Sequence, residues 1–330
     1  MNQRLKKMLI NTFFTICIPV GVFLLLVILC GIKGIALFET ANHVRTFINA
    51  FVVTTFIAWA LNFNLSSGRF DFSLGSIGLL SCIIGVKLTW ALADAGAPSN
   101  AFIMLVIIIA VGAILGTISG LVYIVLNIAP IVTSLGMTLI FEAFTFIVSG
   151  GSGVVLNTSL HLTKISNASN QMLILAIGFV CIYIISNFTR FGYEWRSLIS
   201  GQKISVETGI NEKRNALICY ILAGIFIAVA SSFNMSTQGT ASAALNFSTI
   251  STIFTAFLPL FLGGFIKRFS EEKIGILLGS FTTALITLGF VRLGVSAQMQ
   301  SLWNAIILLL FLIYLNNEGK LKSMLRLKKN

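Results

Sequence analysis

The sequence predicts an all-α polytopic membrane protein with about ten spanning helices, and three observations carry that prediction. Between Thr12 and Asn316, apolar runs of about the 20 residues that cross a bilayer alternate with short polar breaks. Hydrophobic residues make up 57% of the chain and charged residues only 10%, too few to cover a water-facing surface. The runs do not alternate with period two, so a barrel is not how this backbone satisfies itself in lipid; helices are.

Span one covers about 12–32. Its basic start (Arg4, Lys6, Lys7) and apolar body imitate a secretory signal, but the stretch exceeds an h-region and no small-residue cleavage site follows. Val27-Ile28-Leu29 also lacks the small residues that precede a lipidated cysteine, so an uncleaved helix is expected. Span two covers about 45–62. The stretch Ser66 to Ser76 then breaks the apolar pattern before span three, about 72–92, which carries Gly75, Gly78 and Gly85. Small residues there permit close helix approach or a broken helix. Asp71, Ser73 and Ser76 are placed to cap free amides at the helix start, with Asp71 alternatively a substrate contact. Arg69 is expected to pair with Asp71.

Spans four and five cover about 101–126 and 131–149. Glu142 is the one acidic residue in the middle of a span, so it should face the bundle interior or a pore. Three roles stand open for it: binding a substrate hydroxyl, pairing with Arg292, or remaining protonated. The spans are otherwise nearly free of charge, which argues against a proton relay and puts the energy source outside this chain. No G-x-x-x-x-G-K-[ST] motif is present to cradle ATP.

Span six covers about 171–188. The connection from Thr189 to Asn215 is long and carries both signs of charge. Within it Gln202 to Thr208 has the length of two helical turns, Gly209 stands where a C-cap glycine belongs, and Asn211 can cap the next span. Ile204, Val206 and Ile210 among those charges suit docking of a cytoplasmic partner better than a solvated connection, which gains nothing from them. Spans seven to ten cover about 215–234, 250–266, 274–292 and 300–316. Leu262-Gly263-Gly264 with Gly275 and Gly279 loosely mirrors the glycine-broken stretch of the first half, as an internal repeat would.

With ten spans both termini share a side. Of the 22 Lys and Arg residues only Lys33, Arg45, Lys87, Lys164 and Arg292 fall on the other side, which places both termini in the cytoplasm. The net charge of +12 follows from that bias; it flanks spans instead of forming a patch, so nucleic acid is not an expected partner. Cys17, Cys30, Cys82, Cys181 and Cys219 lie inside spans without a C-x-x-C pair and are expected as small apolar core residues. His43 and His161 fall in outer loops with no acidic cluster. No metal or other cofactor, and no acid–base–nucleophile constellation of an enzyme, is expected.

Four segments resemble a known family. Ser67-Gly68-Arg69-Phe70-Asp71-Phe72-Ser73-Leu74-Gly75-Ser76 is similar to G-G-I-D-L-S-V-G-S. Gly116 to Leu121, Asn127, Pro130, Ile131 to Met137 and Ser149-Gly150-Gly151 are similar to G-x-x-N-G-L, P-x-F-I-A-T-L-G-T and L-T-G-G. Thr189-Arg190-Phe191-Gly192 with Thr208-Gly209-Ile210-Asn211 is similar to T-x-x-G-R and S-G-I-N, and Leu262-Gly263-Gly264 with the last span completes the order. The family is the inner-membrane permeases of bacterial sugar importers of the ATP-binding-cassette type, in the ribose, galactose and autoinducer-2 branch.

The resemblance implies one permease domain over residues 1–330, a bundle of the type II importer class in the bacterial cytoplasmic membrane, and a coupling loop at about 189–215. Ser205, Glu207, Thr208, Gly209, Ile210 and Asn211 would meet a cytoplasmic ATP-binding subunit. An extracytoplasmic solute-binding protein would deliver a sugar or sugar-like solute, and a second permease subunit would complete the pathway. Polarity on apolar spans nominates Ser73, Ser76, Asn127, Thr133, Ser134 and Glu142 for its lining, with Gly68, Asp71 and Gly75 as motif candidates; a neutral polyol needs such hydrogen-bonding, uncharged walls. The chain departs from the family after Gly264, where Lys267, Arg268, Glu271, Glu272 and Lys273 replace glycines, and in Gln238 to Ala244, where an acidic residue is missing. These departures favour a heterodimer with a more regular permease over a homodimer. A nucleoside or branched-chain amino acid permease is the alternative, with a secondary carrier behind it.

Overall fold

A computed structural model describes residues 3–156, 162–267 and 269–327; His161, Arg268, Lys328 and Lys329 lie outside the described residues. The chain forms two compact units, one of residues 44–256 and one of residues 1–43 with 257–330.

In the first unit, α2 (Ala41–Leu65, most of it), α3 (Leu74–Asp94), α4 (Ala101–Leu126) and α5 (Pro130–Ser149) follow one another, then β1 (Val154–Val155), a 3-10 turn, α6 (Ala168–Phe188), α7 (Arg190–Ser200), α8 (Gln202–Glu207), α9 (Glu212–Gln238), β2 (Thr240–Ala241) and α10 (Ile250–Phe254). The second unit holds α1 (Gln3–Ile32), α11 (Phe257–Ile266), α12 (Glu272–Arg292) and α13 (Ala297–Leu327). Among the described residues eight helices are long and apolar enough to cross a membrane, and two shorter apolar stretches, Ile250–Ile266 and Gln298–Leu310, stand where the eighth and tenth spans were expected.

Local chemistry sets the helix ends. The Asn100 side chain accepts from Phe102 N and Ile103 N to start α4, and Asn127, left-handed at φ 51°, ends it. Pro130 opens α5 at its first turn, where a missing N–H costs nothing, and left-handed Gly150 closes it.

The most extensive helix pairing in the first unit is α4 against α9. A Cβ on Gly112 would lie 2.6 Å from the Gly224 carbonyl oxygen, and one on Gly116 would lie 2.4 Å from that of Tyr220. Small residues four apart let two backbones touch, which is how helices associate where lipid offers no hydrophobic drive. Phe56, Trp59 and Phe63 of α2 pack on Phe226 of α9 at ring separations of 5.7–6.0 Å. β1 and β2 pair antiparallel, Val154 opposite Ala241.

In the second unit, Gly263 meets the α12 backbone at Ile276 and Gly289 receives Leu26 of α1. The charged turn that follows α11 is closed by Lys267 Nζ on Glu272 Oε2 at 2.6 Å. Arg292 is engaged within its own unit. Its guanidinium binds Ala36 O at 2.9 Å, the His43 ring and the Glu39 carboxylate. The cysteines also divide differently from expectation: Cys30, Cys82 and Cys219 are buried, whereas Cys17 and Cys181 face outward from the bundle. An apolar outer face is no contradiction when lipid is the solvent.

Candidate functional site

Three arrangements gather the candidate residues, all within the unit of residues 44–256. The first is the element between α6 and α9. Thr189 caps α7, accepting from Gly192 N at 3.2 Å. One face of α7 is buried through Trp195 and Leu198. The Trp195 indole donates to Phe63 O at 3.2 Å and Ser67 Oγ at 3.0 Å, so α7 is fastened to the end of α2.

The short helix α8 then turns back on α7. Ser205 is buried, its hydroxyl 2.8 Å from that of Ser197. Gly209 has φ 93°, Ile210 N donates to Ser205 O, and Gly209 N donates to Val206 O. This pair of bonds is the Schellman ending that a left-handed glycine allows. Asn211 accepts from Arg214 N at 3.0 Å and starts α9. The expected two-turn helix, its C-cap glycine and its N-cap asparagine are all present. Its outer face shows Ile204, 69% exposed, and Val206, 44% exposed, beside Lys203, Glu207 and Thr208. Of the nominated coupling residues, Ser205 faces inward and holds the element together, while Gly209 and Asn211 shape its ends.

The second arrangement surrounds the connection between α2 and α3. Asp71 does not pair with Arg69. Its Oδ1 accepts from Ser73 N at 2.9 Å and Ser73 Oγ at 2.6 Å, and its Oδ2 accepts from Asn64 Nδ2 at 3.3 Å. Asp71 therefore holds Ser73, the N-cap residue of α3, whose own hydroxyl caps no helix amide. Burial pushes its carboxyl above the usual carboxylate range, and the Ser73 and Asn64 bonds oppose that push. Arg69 instead points toward Glu212 and Cys219, at 3.9 and 3.6 Å.

The third arrangement is centred on Glu142, fully buried on α5. Its carboxyl accepts from Phe247 N at 2.8 Å and from Thr249 N and Oγ1 at 2.9 and 2.6 Å. One turn along, Thr145 Oγ1 receives Ala244 N at 3.0 Å. Asn246 and Phe247 both take left-handed φ, 61° and 63°. Gly75 lies against this segment: a Cβ there would be 2.1 Å from Thr249 O. The start of α3, the middle of α5 and residues 244–249 thus meet in one place, joining Gly75 and Glu142.

The remaining pathway candidates satisfy themselves locally. Ser76 Oγ donates to Ser73 O, Thr133 Oγ1 to Ala129 O and Ser134 Oγ to Ile131 O. Gly68 occupies an exposed left-handed turn, and Asn127 ends α4 at the surface. A cavity of about 570 Å³ opens elsewhere, between Asn100, Phe102, Leu105, Lys164, Leu173 and Ile177, and includes none of them. Sequence reasoning missed Asn64, Thr145, Trp195 and Thr249. Asn64 is a polar residue at a span end and Trp195 a polar-edged one on α7, both weak signals; Thr145 and Thr249 are bound by distant chain and carry no local one.

Residues 43–315 match a family model described as a branched-chain amino acid transport system permease component. Among curated proteins, the chain is 25% identical over 315 residues to the fructose import permease protein FruG of Bifidobacterium longum (strain NCC 2705), covering 90% of each. It is 22% identical over 294 residues to the ribose import permease protein RbsC of Escherichia coli (strain K12), covering 85% of this chain and 88% of the relative. It is 28% identical over 287 residues to the autoinducer 2 import system permease protein LsrD of Photorhabdus luminescens, covering 81% and 83%.

Proposed function

Because the chain belongs to the branched-chain amino acid transport system permease component family, we propose that it is the membrane-spanning permease subunit of an ATP-binding-cassette importer carrying a sugar or sugar-like solute into the cytoplasm. The whole chain acts as one permease domain in the bacterial cytoplasmic membrane, with both termini cytoplasmic. A separate ATP-binding subunit drives it, an extracytoplasmic solute-binding protein feeds it, and a second permease subunit, of this or another sequence, completes it.

The observation that carries this reading is α8. It is a short helix outside the spans, capped at its end and fastened inward through Ser205 and, by way of α7, Trp195. It still presents Ile204 and Val206 outward among charges. A solvated connection gains nothing from two exposed branched residues in a fixed frame; a docking knob does. ATP binding would draw the ATPase pair together and pull α8, and the bundle would exchange its inward and outward openings. The relatives import fructose, ribose and autoinducer 2, which favours a polyol over a charged amino acid.

Uptake of labelled D-ribose, D-fructose and D-galactose by cells expressing the complete importer tests the reading. Uptake that survives a protonophore and stops on ATP depletion is the expected result. Uptake abolished by the protonophore alone would indicate a secondary carrier, and transport of leucine but no sugar would indicate the amino acid alternative.

A further inference from the structure

We propose that Arg69 is a positioning residue for transport: it receives the displacement of α8 by taking the Glu212 carboxylate from Gln202, and passes it to the start of α3. The proposal rests on the permease reading for its purpose, though not for its geometry.

Arg69 is 3% exposed, in the connection that leads into α3. A guanidinium offers five N–H donors and cannot shed its charge. Among the described residues this one is poorly served. Its Nη2 reaches the Cys219 sulfur, a weak acceptor, at 3.6 Å; its Nη1 stands 3.9 Å from Glu212; its Nε has no hydrogen-bond partner. A buried cation held so loosely is expensive, and an arginine kept for structure alone would be saturated.

The partner it lacks is close by and already engaged. Glu212 Oε1, the oxygen 3.9 Å from Arg69, is bound at 2.7 Å by Gln202 Nε2. Gln202 is the exposed first residue of α8, and Glu212 is the first residue of α9. One carboxylate oxygen thus stands between a neutral donor on the docking helix and a buried cation. A shift of about 1 Å would turn the long contact into a charge-assisted bond of about 2.8 Å. Two discrete positions biased by movement of α8 form the kind of element that transmits coupling.

The inner end of the relay is wired. The Arg69 backbone N–H donates to Asn64 O at 3.0 Å, and Asn64 Nδ2 donates to Asp71. Asp71 holds Ser73, whose hydroxyl lies 3.3 Å from that of Ser119 on α4. Among the described residues Asn64 Oδ1 has no hydrogen-bond partner, so the bond to Asp71 alone holds that side chain.

Two measurements test this. The first uses the purified full-length chain and the thermal midpoint, with substitutions only at the partly or fully exposed Glu212 and Gln202. Competition predicts that Glu212→Gln lowers the midpoint more in a Gln202→Ala background than in the wild type, because Arg69 has by then closed on Glu212. A smaller loss in that background means that Gln202 was the only partner, and overturns the exchange. The second uses the reconstituted importer with D-ribose, D-fructose and D-galactose as probes. Glu212→Gln and Arg69→Gln are expected to lower sugar moved per ATP hydrolysed by about tenfold, with the subunits still assembled, and the swap R69E/E212R to restore part of it. An unchanged ratio, or loss of assembly and hydrolysis together, overturns the positioning role. A wild-type complex that moves none of the sugars defeats the permease reading for these solutes, while the thermal comparison still decides the exchange.

Discussion

The carboxyl of Glu142 accepts both the backbone N–H and the hydroxyl of Thr249, 107 residues further along the chain. Backbone amides that reach a buried carboxyl must find their acceptors within the protein. Glu142 and Thr145 supply them for Ala244, Phe247 and Thr249. They also hold Asn246 and Phe247 in a left-handed conformation that costs about 1–3 kcal/mol for each such residue. The lone carboxyl in the middle of span five is therefore a clamp for this segment.

Replacing Glu142 by Ala leaves three donors without an acceptor. The expected loss is roughly 2–5 kcal/mol, from about 1–3 kcal/mol for each buried group left unpaired, part of which the segment recovers by relaxing. Glu142→Gln keeps one acceptor oxygen and should lose about half as much. Thermal unfolding of the purified protein in detergent checks the order: wild type, then Gln, then Ala.

Gly75→Ala places a methyl group 2.1 Å from a backbone oxygen that has no rotamer to escape into. Overpacking of this kind costs about 1–3 kcal/mol, and here it should also displace residues 244–249. Uptake is expected to fall more than the amount of folded protein, which comparing transport with the yield of monodisperse protein would reveal. Gly136→Ala, where nothing lies within 4 Å, is the matched control and should change neither.

Ile204→Asp with Val206→Asp should leave the bundle intact, since surface changes usually stay within about 0.5 kcal/mol. The same pair should abolish retention of the ATP-binding subunit on the tagged permease. Co-purification and thermal midpoint, measured together, separate lost docking from lost folding.

Gly209→Ala forces a side chain into φ 93° and should destabilise by about 1 kcal/mol or more, whereas Gly209→Asn, better tolerated in left-handed turns, should cost less. Coupling of ATP hydrolysis to uptake is expected to follow the same order.

What the sequence disclosed was local. The α8 element could be placed from Gln202 to Thr208 because its stop, Gly209, and the next start, Asn211, are punctuation read within a few residues. Span positions were legible because an unbroken apolar run of about 20 residues matches the thickness of a bilayer and little else. Pairings between distant segments were not. Arg69 and Asp71 are two apart and opposite in charge, so proximity suggested a pair; the chain turns between them, and Asp71 caps Ser73 while Arg69 faces α9. Charge alone offered Arg292 as one of three roles for Glu142; Arg292 is taken up by Glu39 and Ala36, and Glu142 by Phe247 and Thr249. Polarity likewise nominated Thr133 and Ser134 for a pathway, but a hydroxyl on a membrane helix often bonds its own preceding turn, as both do.

The glycine seam between α4 and α9 has a mechanical consequence. Helix α9 begins at Glu212, directly beyond α8, and runs 27 residues, a rod of about 40 Å. With backbone touching backbone at Gly112, Gly116 and Gly224, there is no layer of pliant side chains to absorb a tug. Force applied at the first turn of α9 would travel along a double-thickness beam and emerge at Thr240, where the strand pair is anchored, with little lost on the way.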